Sequence, residues 1–313
     1  MEILDLRHFG SADLRNLLDE ESERWLSLLS WDYRGSAEMI LRYIDAKILP
    51  GYAAIERGKV LGYCFFVYEG AKGVIGDVFV ESASGARRRE IENELLTHVI
   101  DTLQQSPGIH RIEAQLLLHE SGTATESFMG EGFRRFPRLF LHMPIGHGNW
   151  VEQPLTAEFL LRPWEEQDYQ PAAGVITSAY RGHIDSDIND QYRNMTGSLR
   201  FLNNIVRFPG CGVFDPLSSF SVIHRASRSL VGLLLCSRVR EDVGHITQVC
   251  VLPEYRNRHL GEHLIRSCHD ALAATGAGHL TLTVTEANSR AVALYRRLGF
   301  EQHSIFDAFV WEG

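Results

Sequence analysis

Val249-Cys250-Val251-Leu252-Pro253 is a short apolar run that ends at a proline, and Glu254-Tyr255-Arg256-Asn257-Arg258-His259-Leu260-Gly261 then forms a basic turn into a helix carrying Leu264 and Ile265 on its apolar side. A strand, a basic turn and a helix start in that order make an anion site. The first amides of a helix have no partners within it, and the helix dipole favours negative charge there. Arg256 and Arg258 add charge-assisted donors that suit phosphate. His245 stands six residues before Val251, on the strand that runs into this turn. An imidazole with a pKa of about 6.5 accepts a proton at physiological pH; the alternative is a histidine that only closes a strand after Gly244. About thirty-five residues beyond the turn come Asn288 and Leu294-Tyr295-Arg296-Arg297-Leu298-Gly299-Phe300. Taken alone, Asn288 with Ser289 reads as a helix N-cap region, and Tyr295 as a core tyrosine on that helix.

The two segments together resemble the GCN5-related N-acetyltransferase (GNAT) family. There a V-x-P-x-Y-R-x-x-G-x-G segment holds the pyrophosphate of acetyl-CoA, and a later N…A-x-x-L-Y-x-x-x-G-F segment supplies a tyrosine beside the CoA sulfur. The resemblance implies acetyl-CoA as co-substrate, with Arg256, Asn257, Arg258, His259, Leu260 and Gly261 around its pyrophosphate. It implies main-chain contacts to the pantetheine arm from Val249, Cys250 and Val251, a contact from Asn288, and Tyr295 as the acid that protonates the leaving thiolate. His245 occupies the place of the glutamate base of histone-type members, with Glu286 next in order and Glu241 and Asp242 after it; a water relay without a single base is also found in the family. Cys250 reads as a buried strand residue rather than a nucleophile. One position departs from the pattern: His259 stands where the family has a glycine that lets the backbone approach a phosphate. His259 and His263 are four residues apart with no evident third ligand, so no metal site is expected.

The elements that must hold these residues follow from periodicity. Strands are expected over 159–162, 220–224, 230–238, 245–251 and 280–284, and helices over 168–180, 197–206, 261–275 and 289–298, the last stopped by Gly299. A strand over 306–311 closes the sheet. This order resembles that of the GNAT family, and the resemblance implies a mixed sheet, antiparallel early and splayed where the cofactor enters.

The chain also reads as a duplication. Leu6-Arg7 with Asp13 recurs as Leu161-Arg162 with Asp168, Pro50-Gly51 as Pro209-Gly210, Leu61-Gly62-Tyr63 as Val231-Gly232-Leu233, and Gly130-Glu131-Gly132-Phe133 as Arg297-Leu298-Gly299-Phe300, at offsets of 155, 159, 170 and 167 residues. The order is shared, and an insertion near Gly212-Val213-Phe214-Asp215-Pro216-Leu217, placed beside the acceptor site, absorbs most of the drift. The N-terminal copy lacks the chemistry. Its phosphate turn is replaced by Ser82-Ala83-Ser84-Gly85-Ala86-Arg87-Arg88-Arg89, and Phe128 stands where Tyr295 would. Asp185, Asp187 and Asp190 form an acidic patch that either attracts an amine or lines a solvated loop.

At 313 residues the chain suits two domains, and 44% hydrophobic with 23% charged residues lets each bury a core. A net charge of −9 argues against broad nucleic-acid binding. The five cysteines are odd in number and form no C-x-x-C, so neither a disulfide framework nor a zinc site is indicated. The N-terminus has no signal-peptide core and the apolar run 230–236 is too short to span a bilayer, so a cytoplasmic protein with no membrane partner is expected. The reading is an α/β protein (α+β mixed) of two tandem GNAT folds, each a twisted mixed sheet flanked by helices: a degenerate N-terminal domain over 1–145 and a catalytic C-terminal domain over 157–313. Its plan and length are similar to those of the mycothiol synthase branch of the family, from which no substrate is taken over. Its expected activity is direct acetyl transfer to a primary amine of a small molecule or peptide, by a monomer or homodimer. The alternative is a non-catalytic acyl-CoA-binding or sensor protein. No G-x-G-x-x-G follows an early strand, which sets aside a dinucleotide-binding enzyme.

Overall fold

The computed structural model describes residues 1–150, 153–207 and 212–313. The Pro209-Gly210 half of one repeat match and Cys211 lie outside the described residues. Two compact units emerge, one of Met1–Arg138 with Ile305–Gly313, the other of Leu139–Ser304. No helix among the described residues is long and apolar enough to cross a membrane.

In chain order the first 144 residues form β1 (Glu2–Asp5), α1 (Ser11–Leu29), α2 (Arg34–Asp45), β2 (Gly51–Glu56), β3 (Lys59–Glu69), β4 (Lys72–Val80), α3 (Arg88–Gln105), β5 (Arg111–Gln115), α4 (Thr125–Met129) and β6 (Arg134–Pro144). The remainder forms β7 (Phe159–Pro163), α5 (Tyr169–Ala179), α6 (Asp185–Ile188), α7 (Met195–Arg207), β8 (Val213–Phe214), β9 (Phe220–His224), β10 (Ser229–Arg240), β11 (Val243–Val251), α8 (Leu260–Ala274), β12 (His279–Thr285), α9 (Ser289–Leu298) and β13 (Glu301–Glu312). In the second unit the sheet runs β7-β9-β10-β11-β12, with residues 139–144 of β6 beyond β12 and β8 on β10. All its assigned registers are antiparallel except β11 with β12. The first unit repeats this as β1-β2-β3-β4-β5, parallel only between β4 and β5. β10 reads Leu-Val-Gly-Leu-Leu-Leu-Cys because it is buried on both faces.

The duplication is visible in the irregularities. Each unit has a bulge at the start of its long hairpin, one extra residue at Leu61 and at Val231. Each has a second bulge in its central strand, at Gly76 in β4 and at Thr247 in β11. In both copies the parallel ladder stops at the residue before that bulge, with Ile75 opposite Ala114 and Ile246 opposite Leu282. A bulge adds twist and interrupts pairing, so both sheets splay at the same place.

The last strand was expected to close the C-terminal sheet. Instead, residues 308–312 of β13 pair antiparallel with β5 of the first unit, and Phe309 stacks on Phe128 with ring centroids 4.1 Å apart. The packing therefore does not follow a single cut between 145 and 157. Phe309→Ala should cost the first unit about 3–5 kcal/mol. Limited proteolysis is expected to open residues 1–138 of this variant while a fragment within 139–304 persists; cleavage confined to 139–304 would refute the assignment of β13.

Candidate active site

The splay in the second unit collects most of the residues singled out by sequence. β11 stays paired to β10 through Val251, with Gln248, Val249, Cys250 and Val251 opposite Leu235, Leu234, Leu233 and Gly232. Its register with β12 ends at Ile246, so the edge of Thr247 to Val251 is open to an extended ligand that bonds the main chain as an added strand does. Cys250 belongs to the core formed with α5 and α7, and burial pushes its thiol up to about 12, against a pull from Arg256. A thiol kept protonated at neutral pH is no nucleophile.

Beyond β11 the chain turns through Pro253–Tyr255 into α8. Asn257 and His259 both take the left-handed conformation, with φ of 63° and 59°. His259 thus stands where a glycine would be at ease, at a strain of about 1–2 kcal/mol for an L-residue. It is the N-cap residue of α8, and no side chain caps the helix. Leu260 is buried and anchors the first turn, while a side chain at Gly261 would meet nothing within 4 Å. The turn is therefore open above the first amides of a 15-residue helix, the arrangement that binds phosphate.

The two arginines are engaged otherwise than expected. Arg256 donates from Nη2 to the carbonyl of Ala179 at 2.7 Å and from Nε to that of Val251 at 3.3 Å. It ties the C-terminal end of α5 to the end of β11. Arg258 forks onto Glu158 at 2.9 and 2.8 Å and lies over the rings of Phe159 and Tyr255. The two guanidiniums thus shape the turn, and what it leaves open are main-chain amides.

Tyr295 is buried on α9, edge-on to Phe300 with ring centroids 5.8 Å apart. Burial first, then the charge of Asp185 and the thiol of Cys250, hold its hydroxyl above the ordinary value. Asn288 caps α9, accepting from the amide of Ala291 at 3.3 Å, and Gly299, with φ of 101°, ends it. Glu262 in the first turn of α8 pairs with Arg297 of α9 at 3.0 Å and holds the two helices together.

His245 is not brought to this place. It sits within the closed ladder, two residues before the bulge, 4% exposed. Its Nδ1 is 2.9 Å from Oγ1 of Thr281, and its ring stacks near Phe140. A base must reach solvent or substrate, and this imidazole is inside the core. Asp242 pairs with Arg240 at the opposite end of β11, where Glu241 also lies, and Glu286 is exposed just past β12. Asp215 of the insertion pairs with Arg238 at 2.8 Å rather than lining the splay.

Sequence reasoning missed Tyr180, Gln248 and Thr285, and had Asp185 only as part of an acidic patch. Tyr180, following α5, donates to Oε1 of Gln248 at 3.1 Å and lies 3.5 Å from the carbonyl of Val249. Asp185, first residue of α6, accepts from the hydroxyl of Thr285, the last residue of β12. The segment 180–185 thus reaches from one splayed strand to the other. The one signal available was Gln248, a polar residue inside the apolar Val249-Cys250-Val251 approach.

A family model described as the acetyltransferase (GNAT) family matches residues 190–300. That stretch of the chain is similar to the GNAT acetyltransferase family. It is 42% identical over 55 residues to streptothricin acetyltransferase of Streptomyces lavendulae, which is 18% of this chain and 29% of that protein. Over 64 residues it is 36% identical to a putative [ribosomal protein bS18]-alanine N-acetyltransferase of Bacillus subtilis (strain 168), 20% of this chain and 42% of that protein. The chain thus spans less than half the length of these curated relatives. Its fold is similar to that of a tandem GNAT protein from the clavulanic acid biosynthesis pathway, with a TM-score of 0.61 at 14% identity, covering 99% of this chain and 98% of the other. The GNAT fold therefore occurs twice.

The first GNAT copy is filled in. Phe128, buried between Phe133 and Phe309, replaces the tyrosine. Nε2 of His119 is 2.9 Å from the carbonyl of Val78, the counterpart of Val249. Arg87 and Arg88 pair with Glu56 and Glu92. Among the described residues no cluster suited to a metal ion is found.

Proposed function

We propose that the second unit is an acetyl-CoA-dependent N-acetyltransferase that acts by direct transfer on a primary amine of a small molecule or peptide. The observation that carries this is the break in the β11–β12 ladder at the Thr247 bulge, which opens beside Tyr295 and leads to the uncapped start of α8. Acetyl-CoA fits that arrangement: the amides of Leu260 and Gly261 would hold its pyrophosphate, and the open edge of Val249 and Val251 would bond the amides of its arm. Asn288 orients α9 as its cap. The first unit, with His119 at the corresponding carbonyl, is a structural partner.

Bound acetyl-CoA supplies the thioester, at whose carbonyl carbon the C–N bond forms as the C–S bond breaks. The acceptor ammonium must first lose one proton. Tyr295 then gives its hydroxyl proton to the departing sulfur and takes the nitrogen's remaining excess proton in return. One proton is released per amide formed. Main-chain amides at the bulge are placed to polarise the carbonyl.

The test is release of free thiol from acetyl-CoA in the presence of a panel of primary amines, with acetyl-CoA binding followed separately by calorimetry. Turnover with at least one amine is expected. Tight acetyl-CoA binding with no turnover on any amine would transfer the protein to the acyl-CoA sensors, and no binding would refute both.

A further inference from the structure

The mouth of the splay contains a donor that the protein does not use. Gln248 is 4% exposed, and its Oε1 accepts from Tyr180, yet its Nε2 has no hydrogen-bond partner. Leaving a buried amide donor unpaired costs about 1–3 kcal/mol, and such groups are rare in well-packed interiors. In this orientation Tyr180 gives its one proton to Oε1, which leaves the NH2 end for something else. Nearby stands a carboxylate, Asp185, tied to Thr285. Tyr180 itself is stacked on Tyr192 at 4.4 Å, and its backbone is pinned through Arg256 on the neighbouring Ala179 carbonyl. A carboxylate and a neutral donor, both held rigidly on a water-poor wall, ask for complementary groups on one ligand.

We propose that Asp185, Tyr180 and Gln248 form the acceptor subsite, and that it selects a primary amine carrying a carbonyl or hydroxyl oxygen on the carbon adjacent to the amine-bearing one. Asp185 pairs with the ammonium and takes the proton it must lose before attack, passing that proton to solvent afterwards. Gln248 Nε2 donates to the neighbouring oxygen. Tyr180 keeps the amide turned that way and closes the wall. This rests on the transferase reading above, and it names the kind of amine that reading leaves open. Sites built to hydrogen-bond a substrate oxygen discriminate strongly against analogues that lack it, because the buried group is then left unpaired.

Ethanolamine and propylamine, alike in size and differing in that oxygen, test it on the full chain with acetyl-CoA. The wild type should favour ethanolamine in kcat/KM by about tenfold or more. Gln248→Met should reduce that preference to near unity; because each enzyme is compared with both amines, the amines' own basicity cancels between variants. Asp185→Asn should lower kcat/KM for both amines by about a hundredfold and leave acetyl-CoA affinity unchanged. Thr285→Val, which keeps shape and removes the tether, should raise KM for ethanolamine about fivefold, and serves if Gln248→Met does not fold. An unchanged amine preference in Gln248→Met, or activity within threefold of wild type in Asp185→Asn, overturns the subsite. If the wild type acetylates neither amine, saturation-transfer NMR with CoA present decides. Ethanolamine binding that disappears in Asp185→Asn upholds the subsite, and the amine panel then decides the transferase reading separately; binding of neither amine overturns the subsite. Failure to bind acetyl-CoA counts against the transferase reading alone.

Discussion

Tyr295→Phe should lower kcat by two orders of magnitude or more, within the range of about 10²–10⁴ typical of a lost general acid, while the affinity for acetyl-CoA stays within twofold. The ring remains, and with it the edge contact to Phe300 at 5.8 Å; only the hydroxyl goes. That hydroxyl is held above its ordinary pKa chiefly by burial, with Asp185 and Cys250 adding to the effect. It therefore stays protonated across the physiological range and is available to a departing thiolate. The same shift means that no alkaline loss of activity below about pH 10 comes from Tyr295, the unperturbed value being near that. Single-turnover thiol release with each enzyme saturated in acetyl-CoA measures the effect directly. A variant within threefold of the wild type removes Tyr295 from the chemistry.

The second large effect lies in the first unit. Glu21 is fully buried on α1, its carboxyl accepting from the hydroxyl of Tyr63 at 2.6 Å and from Nε1 of Trp25 at 3.4 Å. Asp77, 5% exposed, follows the Gly76 bulge and takes the place that Gln248 has in the other copy. Burial pushes Glu21 up to about 7, and burial with the charge of Glu21 raises Asp77 well above the usual carboxylate range, His119 pulling it partly back. Both folded pKa values lie above the unfolded ones, so protonation favours the fold. The contribution from Glu21 is complete below about pH 4.5 and fades as pH rises through about 7; Asp77 extends the loss to higher pH. Glu21→Gln retains an oxygen for Tyr63 and removes the titration. At pH 8 it should stabilise the first unit by about 3 kcal/mol relative to wild type, with the difference vanishing by pH 4.5. Urea unfolding at several pH values, read by proteolysis within 1–138, gives the comparison. Parallel pH profiles for the two proteins would contradict a buried, proton-holding pair.

The fate of the first unit follows from the same geometry. Both copies keep the two bulges and the truncated parallel ladder, since these belong to the backbone plan. The groups placed at the splay differ: Asp77 with Glu21, His119 and Phe128 in one, Gln248 with Tyr180, Asp185 and Tyr295 in the other. A shared plan with different side chains at the opening is what separates a filled interior from a site.

What the amino-acid order determined by itself was the local and the periodic. The basic turn into α8, the Tyr295 helix with its Asn288 start and Gly299 stop, the strands flanking them, and the repeat all announce themselves through spacing within some ten residues or through recurrence at a fixed offset. The tertiary structure decided what depends on pairing between distant residues. Arg256 and Arg258 carry the right charge for phosphate, but their partners, Ala179 and Glu158, are 77 and 100 residues away. His245 lies on the expected strand, yet a one-residue bulge at Thr247 places it inside the closed ladder. Residues 306–311 read as a strand, and nothing in an alternating pattern says which edge it will join; hydrogen bonding to Arg111–Gln115 settled that. Periodicity reports whether a segment has a buried face. Only the folded chain, where each edge meets the partner that satisfies its hydrogen bonds, reports what buries it.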